Sequence, residues 1–234
     1  MTVAASPAHR RGYEAGGVCV MHLTVRRYRN WTGPVGEVAR RAALSLVPEL
    51  QRQPGFRLYC AFESAEGDAV SVNLVEQREQ AIAANAQILR WVRTEAADLI
   101  HHLPETMMGA CPVWAVSQPA AWAGSPHVTV RQHHGLAAED AVMPEVRTHI
   151  LPLISRAPGF RAFFASMNAH HRGQGIGVTL FEDAASAAES NERAVSAMLA
   201  KGIAPYPPQV WAGKALVMTV AGEAWPDPAD DPAA

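Results

Sequence analysis

Cysteine is scarce in this sequence: Cys19, Cys60 and Cys111 lie far apart and form no C-x-x-C pair. That excludes a disulfide framework and a zinc ribbon, and the three read as reduced thiols in a cytoplasmic protein, with Cys19 and Cys60 as small buried hydrophobes. An excess of one charge is missing too. Twenty Lys and Arg against 22 Asp and Glu leave a net charge of -2, too little positive charge to neutralise phosphates, so no nucleic-acid partner is expected. No apolar run is long enough to cross a bilayer, and the opening MTVAASPAHRRGYEAGG has no apolar core of signal-peptide length, so a soluble protein with no membrane partner is expected. G-x-G-x-x-G, P-loop, H-E-x-x-H and G-x-S-x-G patterns are all absent, which removes the obvious nucleotide, zincin and hydrolase readings.

What the chain does contain is a repeat. QPGFRLYCAF (Gln53 to Phe62) returns as APGFRAFFAS (Ala157 to Ser166), and the flanks follow it. HLTVRRY meets HVTVRQH at a shift of 105, VSVNLVEQREQAIAAN meets IGVTLFEDAASAAESN at 106, and MGACPVWAV meets AGKALVMTV at 104. Small drifts of this kind are what loop insertions produce, so residues 18–116 and 127–220 read as two copies of one unit. Residues 117–126, SQPAAWAGSP, are the linker, and residues 1–17 and 221–234 are expected to be disordered tails.

Within each copy the hydrophobic period changes in the same order. Cys19 to Arg27 alternates as a strand, and Val38, Ala42, Leu46 and Leu50 recur at helical spacing over about 35–51. Pro48 and Pro152 should kink or end that helix. Each Pro-Gly pair then turns the chain into strand two, and a hairpin, a second helix and a last strand follow. Strand, helix, strand, strand, helix, strand is the split β-α-β order of a ferredoxin-like unit. The predicted fold class is α+β: two tandem ferredoxin-like units packed sheet to sheet as an intramolecular, pseudo-dimeric α/β barrel, with a further homodimer left open.

The segments TVRRY, PGFRLY, VSVNLVE and the Asn85-to-Trp91 run, with TVRQH, PGFRAFF, GVTLFED and SNERA in copy two, resemble the antibiotic-biosynthesis monooxygenase-like branch of the dimeric α/β barrel superfamily. The resemblance covers both copies. It implies a pocket between sheet and helices and, as one of several family activities, oxygenation of a phenolic, quinol or polyketide-like small molecule without a cofactor. Heme degradation is another family activity. It implies a helix histidine on iron, and the turns after Asn85 and Asn191 hold none before His101 and His102, which read as solvated helix ends. The alternative to the oxygenase, ahead of heme degradation, is a non-catalytic small-molecule binding or scaffold protein of the same fold.

The candidate catalytic residues are Asn85, Trp91 and Tyr59 in copy one and Asn191 and His133 in copy two. The asparagines are repeated in mid-helix despite poor propensity there, and either bond a neighbouring loop or present a pocket amide to an oxyanion. Phe56, Leu58, Leu74, Phe160 and Phe164 are the candidate substrate-binding residues, alternatively packed solid as core. Alternation on strand one puts His22, Thr24, Arg26 and Tyr28 on one face, expected to meet the other copy, and Met21, Leu23 and Val25 on the other, expected to meet the helices. Arg26 and Arg131 are then each read as the cation of a structural ion pair across the interface, and His22 and His127 as hydrogen-bonding groups there. The pairs His133–His134 and His170–His171 match no metal motif, so no metal site and no cofactor are expected.

Overall fold

The computed structural model describes residues 21–29, 33–117, 122 and 124–222. Cys19, the expected tail 1–17, residues 118–121 and 123 of the linker and residues 223–234 lie outside these.

The chain order is β1 (Met21–Tyr28), a helix α1 that spans residues 35–51, β2 (Phe56–Glu63), β3 (Ala69–Val75), α2 (Arg78–Glu95), β4 (Glu105–Cys111) and β5 (Val113–Val116). The second half repeats it as β6 (His127–His133), α3 over residues 139–155, β7 (Phe160–Met167), β8 (Gly175–Phe181), α4 (Ala184–Ala200) and β9 (Gln209–Val220). The strands form one sheet in the order β4-β1-β3-β2-β9-β6-β8-β7-β5, antiparallel at every pairing. Its two ends, β4 and β5, are one stretch of chain interrupted at Pro112, so the sheet curls back on itself into a barrel. The sequence reads that stretch as one strand of the first unit. Proline cannot donate a ladder hydrogen bond, and at Pro112 the chain leaves β1 and continues along β7 of the other half. β9 does the same without a break, pairing first with β6 and then with β2.

Each crossing depends on a glycine. A Cβ on Gly109 would lie 1.9 Å from the Met167 carbonyl oxygen, and one on Gly213 would lie 2.0 Å from that of Glu63. Only a residue without a side chain lets the shared strand pass so close to the opposite half.

The barrel interior is apolar and built from both halves: Met21, Leu23, Val25, Leu58, Leu74, Val128, Val130, Phe164 and Val178 all belong to it. Side chains fill it as they fill other small barrels. The expected orientation of β1 is therefore inverted. Its apolar residues meet the other half, and Thr24, Arg26 and Tyr28 face outward beneath the helices. Alternation identifies two faces but not which is inner, and here both are buried.

The helices cover the outer face, one cluster per half. α2 starts with a reciprocal pair of bonds between Gln77 and Gln80, and α4 with Asp183 accepting from the Ser186 backbone N–H at 2.8 Å. α2 buries Ala81, Ala84, Ile88, Trp91 and Val92, spaced at three and four residues. Neither α1 nor α3 ends at its proline. In each a π turn, Ala42–Leu46 or Val146–Ile150, widens the helix just before Pro48 or Pro152, and a further α turn follows. The wide turn makes room for the ring and for the missing N–H.

Candidate functional site

β1 and β6 each hold an arginine at mid-strand, and the helix above each holds an asparagine. Arg26 Nε donates to Asn85 Oδ1 at 2.8 Å, and Arg131 Nε donates to Asn191 Oδ1 at 2.8 Å. This clamp explains the repeated mid-helix asparagine: each amide oxygen is bound to a strand arginine and not to a neighbouring loop, while the amide Nδ2, the group that would donate to an oxyanion, takes no part in the clamp. It also replaces the ion pairs that Arg26 and Arg131 were each expected to make across the interface between halves. Both guanidiniums point to their own helix layer, on the opposite side of the sheet from the interface between halves. His22 and His127 likewise lie beside the helix starts, near Glu79 and Arg78 in one half and Asp183 in the other, where partial burial lowers both below the usual histidine range.

Two cavities of about 40 Å³ lie between sheet and helices, one per half. Each includes two residues of a π turn, Ala42 and Leu46 or Val146 and Ile150, so the widened helix forms part of the wall.

The first cavity is lined by Tyr28, Tyr59, Ser71, Ile88 and Trp91 among others. Trp91 Nε1 donates to Ser45 Oγ at 2.7 Å. Burial raises the phenols of Tyr28 and Tyr59 above the ordinary tyrosine range, so both remain protonated donors and neither is a base at neutral pH. Arg26 is fully buried beneath this layer and does not line the cavity. Its Nη1 and Nη2 find no hydrogen-bond partner among the described residues, and neither do both amide atoms of Asn73 and the Thr24 hydroxyl.

The second cavity is different in kind. Arg131 and His133 both line it, with Ser166, Gly177 and an apolar wall of Leu136, Val142, Met143, Phe163 and Met198. Burial lowers the Arg131 guanidinium to about 10, which leaves it a cation at neutral pH. No carboxylate is hydrogen-bonded to it among the described residues; its partners are Asn191 and the Thr179 hydroxyl. His133 is lowered to about 4 by burial first, then by the Arg131 charge and His134. It is a neutral imidazole beside a buried cation, and its Nδ1 has no hydrogen-bond partner among the described residues. A neutral imidazole, made a weak base by burial and the Arg131 charge, and a cation able to hold an oxyanion thus border one apolar space.

Asn85 and Asn191 therefore hold the arginines, Trp91 and Tyr59 line the first cavity, and His133 lines the second. Of the candidate substrate-binding residues, Leu58, Leu74 and Phe164 lie in the barrel interior on the opposite face of the sheet. Phe56 packs in the first helix layer, and Phe160 stacks edge-on against Phe181 with centroids 5.9 Å apart. Arg131 is the functional candidate that the sequence reading gave a structural role; a repeated Arg and Asn 59 or 60 residues apart was the available signal. Cys60 and Cys111 are buried thiols pushed up to about 12, which removes them as nucleophiles.

No protein-family model matches the sequence, and no curated protein does. Solved structures do match. A protein of Fusobacterium nucleatum that bears the name "Putative monooxygenase" superposes with a TM-score of 0.67 at 10% identity, over 88% of this chain and 97% of its own. A protein of Lactobacillus acidophilus with the same name gives 0.64 at 10% identity, over 86% and 96%. The fold is the dimeric α/β barrel. A heme-binding protein of Thermus thermophilus shares it at a TM-score of 0.51 and 12% identity, over 84% and 91% of the two chains. The residues here do not suit a heme. The helix positions facing the cavities, Ile88 and Val92 or Ala194 and Met198, carry no histidine, and His101 and His102 are exposed.

Proposed function

We propose that the chain is a monooxygenase of the antibiotic-biosynthesis type, made of two fused units (residues 18–116 and 127–220), and that its second cavity oxidises a phenolic or quinol-like small molecule without a resident cofactor. The observation that carries this reading is the pairing of a neutral buried His133 with the buried cation Arg131 at one apolar cavity. A phenol or activated methylene gives its proton to the imidazole, and the guanidinium holds the oxyanion. The electron-rich carbanion then reduces dioxygen itself. One oxygen atom ends in a new carbonyl and the other leaves as water, so a CH2 and O2 become C=O and H2O with no outside reductant. Asn191 fixes the guanidinium through Nε. A positioned general base contributes on the order of 10²–10⁴-fold when its pKa lies near the operating pH, and an oxyanion forming between His133 and Arg131 offsets the cation that lowers His133.

The test is dioxygen uptake by the purified protein with anthrone or 1,4-dihydroxynaphthalene. Uptake above the buffer rate is expected, reduced at least about 100-fold in His133→Ala and in Arg131→Met, and unchanged in Tyr59→Phe, which alters only the first cavity. A folded protein with no uptake above buffer would overturn the reading in favour of a non-catalytic binding protein.

A further inference from the structure

The second cavity, at about 40 Å³, does not hold an aromatic ring as it stands, yet a cleft of about 550 Å³ lies directly against it. The cleft is lined by Ala137, Ala138, Glu139, Met167, Asn168, His171, Arg172 and Gly173, and its volume is in the range of ordinary small-molecule sites. One residue, Leu136, lines both spaces. On either side of it the walls continue from one space to the other along the chain: Ser166 borders the cavity and Met167 the cleft, Gly175 borders the cavity and Gly173 the cleft.

The partition is held in place by design of the two facing loops. Leu136 donates its backbone N–H to the Gly173 carbonyl at 3.0 Å, and Gly173 adopts a φ of 71° that only glycine takes without strain. The Leu136 side chain lies over Gly175, where an added Cβ would come within 2.5 Å of Leu136 Cδ1. Leu136 thus stands where the space beside His133 and Arg131 meets an open cleft carrying Glu139, His171 and Arg172.

We propose that cavity and cleft are two chambers of one binding site, that Leu136 is the swinging partition between them, and that the ligand is a fused-ring phenol. Its ionisable end passes Leu136 to reach His133 and Arg131, and its remaining rings occupy the cleft with their polar substituents against Glu139 and Arg172. This rests on the function proposed above for the chemical end of the ligand. The ring-size preference is set by Leu136 alone.

The experiment measures binding by titration calorimetry under anaerobic conditions with three probes of increasing length: hydroquinone, 1,4-dihydroxynaphthalene and anthrahydroquinone-2-sulfonate. Leu136→Ala is expected to tighten the three-ring probe at least about tenfold, about 1.4 kcal/mol, while changing hydroquinone less than about twofold. Gly175→Ala, which displaces the partition without truncating it, is expected to act in the same direction. Leu136→Trp is expected to weaken the two longer probes about tenfold or more. Effects independent of probe length, or no effect of any of the three variants, overturn the two-chamber site, as does the absence of binding of every probe to both parent and Leu136→Ala at about 1 mM. The two proposals fail separately. A length-dependent response to Leu136 without dioxygen uptake leaves the two-chamber site and removes the oxygenase; uptake that depends on His133 without a length-dependent response does the reverse.

Discussion

His133 ought to make the protein acid-sensitive in a specific window. An unfolded histidine titrates near 6.5, and in the folded chain burial and the Arg131 charge hold His133 near 4. Between those values the unfolded state binds more protons than the folded state, so stability rises with pH there; it is fully present above about 6.5 and is lost as pH falls toward 4. A shift of this size at a residue only 5% exposed corresponds to about 3 kcal/mol in full. At pH 5 about 2 kcal/mol of it has already gone relative to pH 7. The perturbation is His133→Gln, which keeps a polar side chain and has no charge to gain. Urea unfolding of both proteins at pH 7 and pH 5 gives the comparison. The parent is expected to lose about 2 kcal/mol more than the variant, with the same urea dependence in both. Other titrating groups, the half-buried His22 and His127 included, are common to the two and cancel. Equal losses within about 0.5 kcal/mol would refute the argument, because His133 would then be solvated enough to charge in the folded state, and a base held neutral by burial would no longer describe it.

Three further outcomes test the scaffold around it. Asn191→Ala removes the acceptor of the Arg131 Nε–H and is expected to cost about 1.5–3 kcal/mol, whereas the double change Arg131→Met, Asn191→Leu, which replaces a buried cation and its partner by apolar groups, is expected to be near neutral in stability and inactive; chemical denaturation and dioxygen uptake read the two effects separately. Gly109→Ala sets a Cβ against the Met167 carbonyl, a backbone atom that cannot rotate away, and thermal unfolding should show a loss beyond the roughly 3 kcal/mol of ordinary substitutions. Gly177→Ser restores at the second cavity the residue type that Ser71 supplies at the first, in space where a Cβ lies 3.9 Å from Arg131 Nη1; it is expected to weaken binding of 1,4-dihydroxynaphthalene about tenfold with stability unchanged within about 0.5 kcal/mol.

The element order was legible because period and punctuation repeat: alternation, helical spacing and a Pro-Gly corner occur twice in the same sequence of steps. The π turns were not, since nothing in the spacing of Ala42, Leu46 and Leu50 separates a proline that ends a helix from one accommodated by a wide turn. The face of β1 was misassigned for a related reason. In a two-layer protein the polar face of a strand meets solvent or an interface, but in a barrel wrapped by helices both faces are buried, and the arginine reaches its asparagine through the outer layer. The split of the last strand at Pro112 depends on pairing with the other half, which local pattern does not encode.

The comparison between halves separates scaffold from chemistry. What repeats is the clamp, Arg26 with Asn85 and Arg131 with Asn191, and both clamps hold Nε at the same distance. What diverges lies around the guanidinium. Tyr28 stands where His133 does, Tyr59 where Phe163 does, and Ser71 where Gly177 does. In the first half the two phenols and the serine form the cavity wall, and the arginine lies behind them. In the second, a phenylalanine and a glycine replace the tyrosine and the serine, and the arginine itself is part of the wall. The same substitutions bring in the imidazole and remove competing donors from the space before the cation. A buried cation costs folding free energy wherever it sits, and in both halves the clamp offsets part of that cost by holding Nε. Only exposure to a cavity alongside a base would give it chemistry to perform, and in the second half Arg131 and His133 border one cavity.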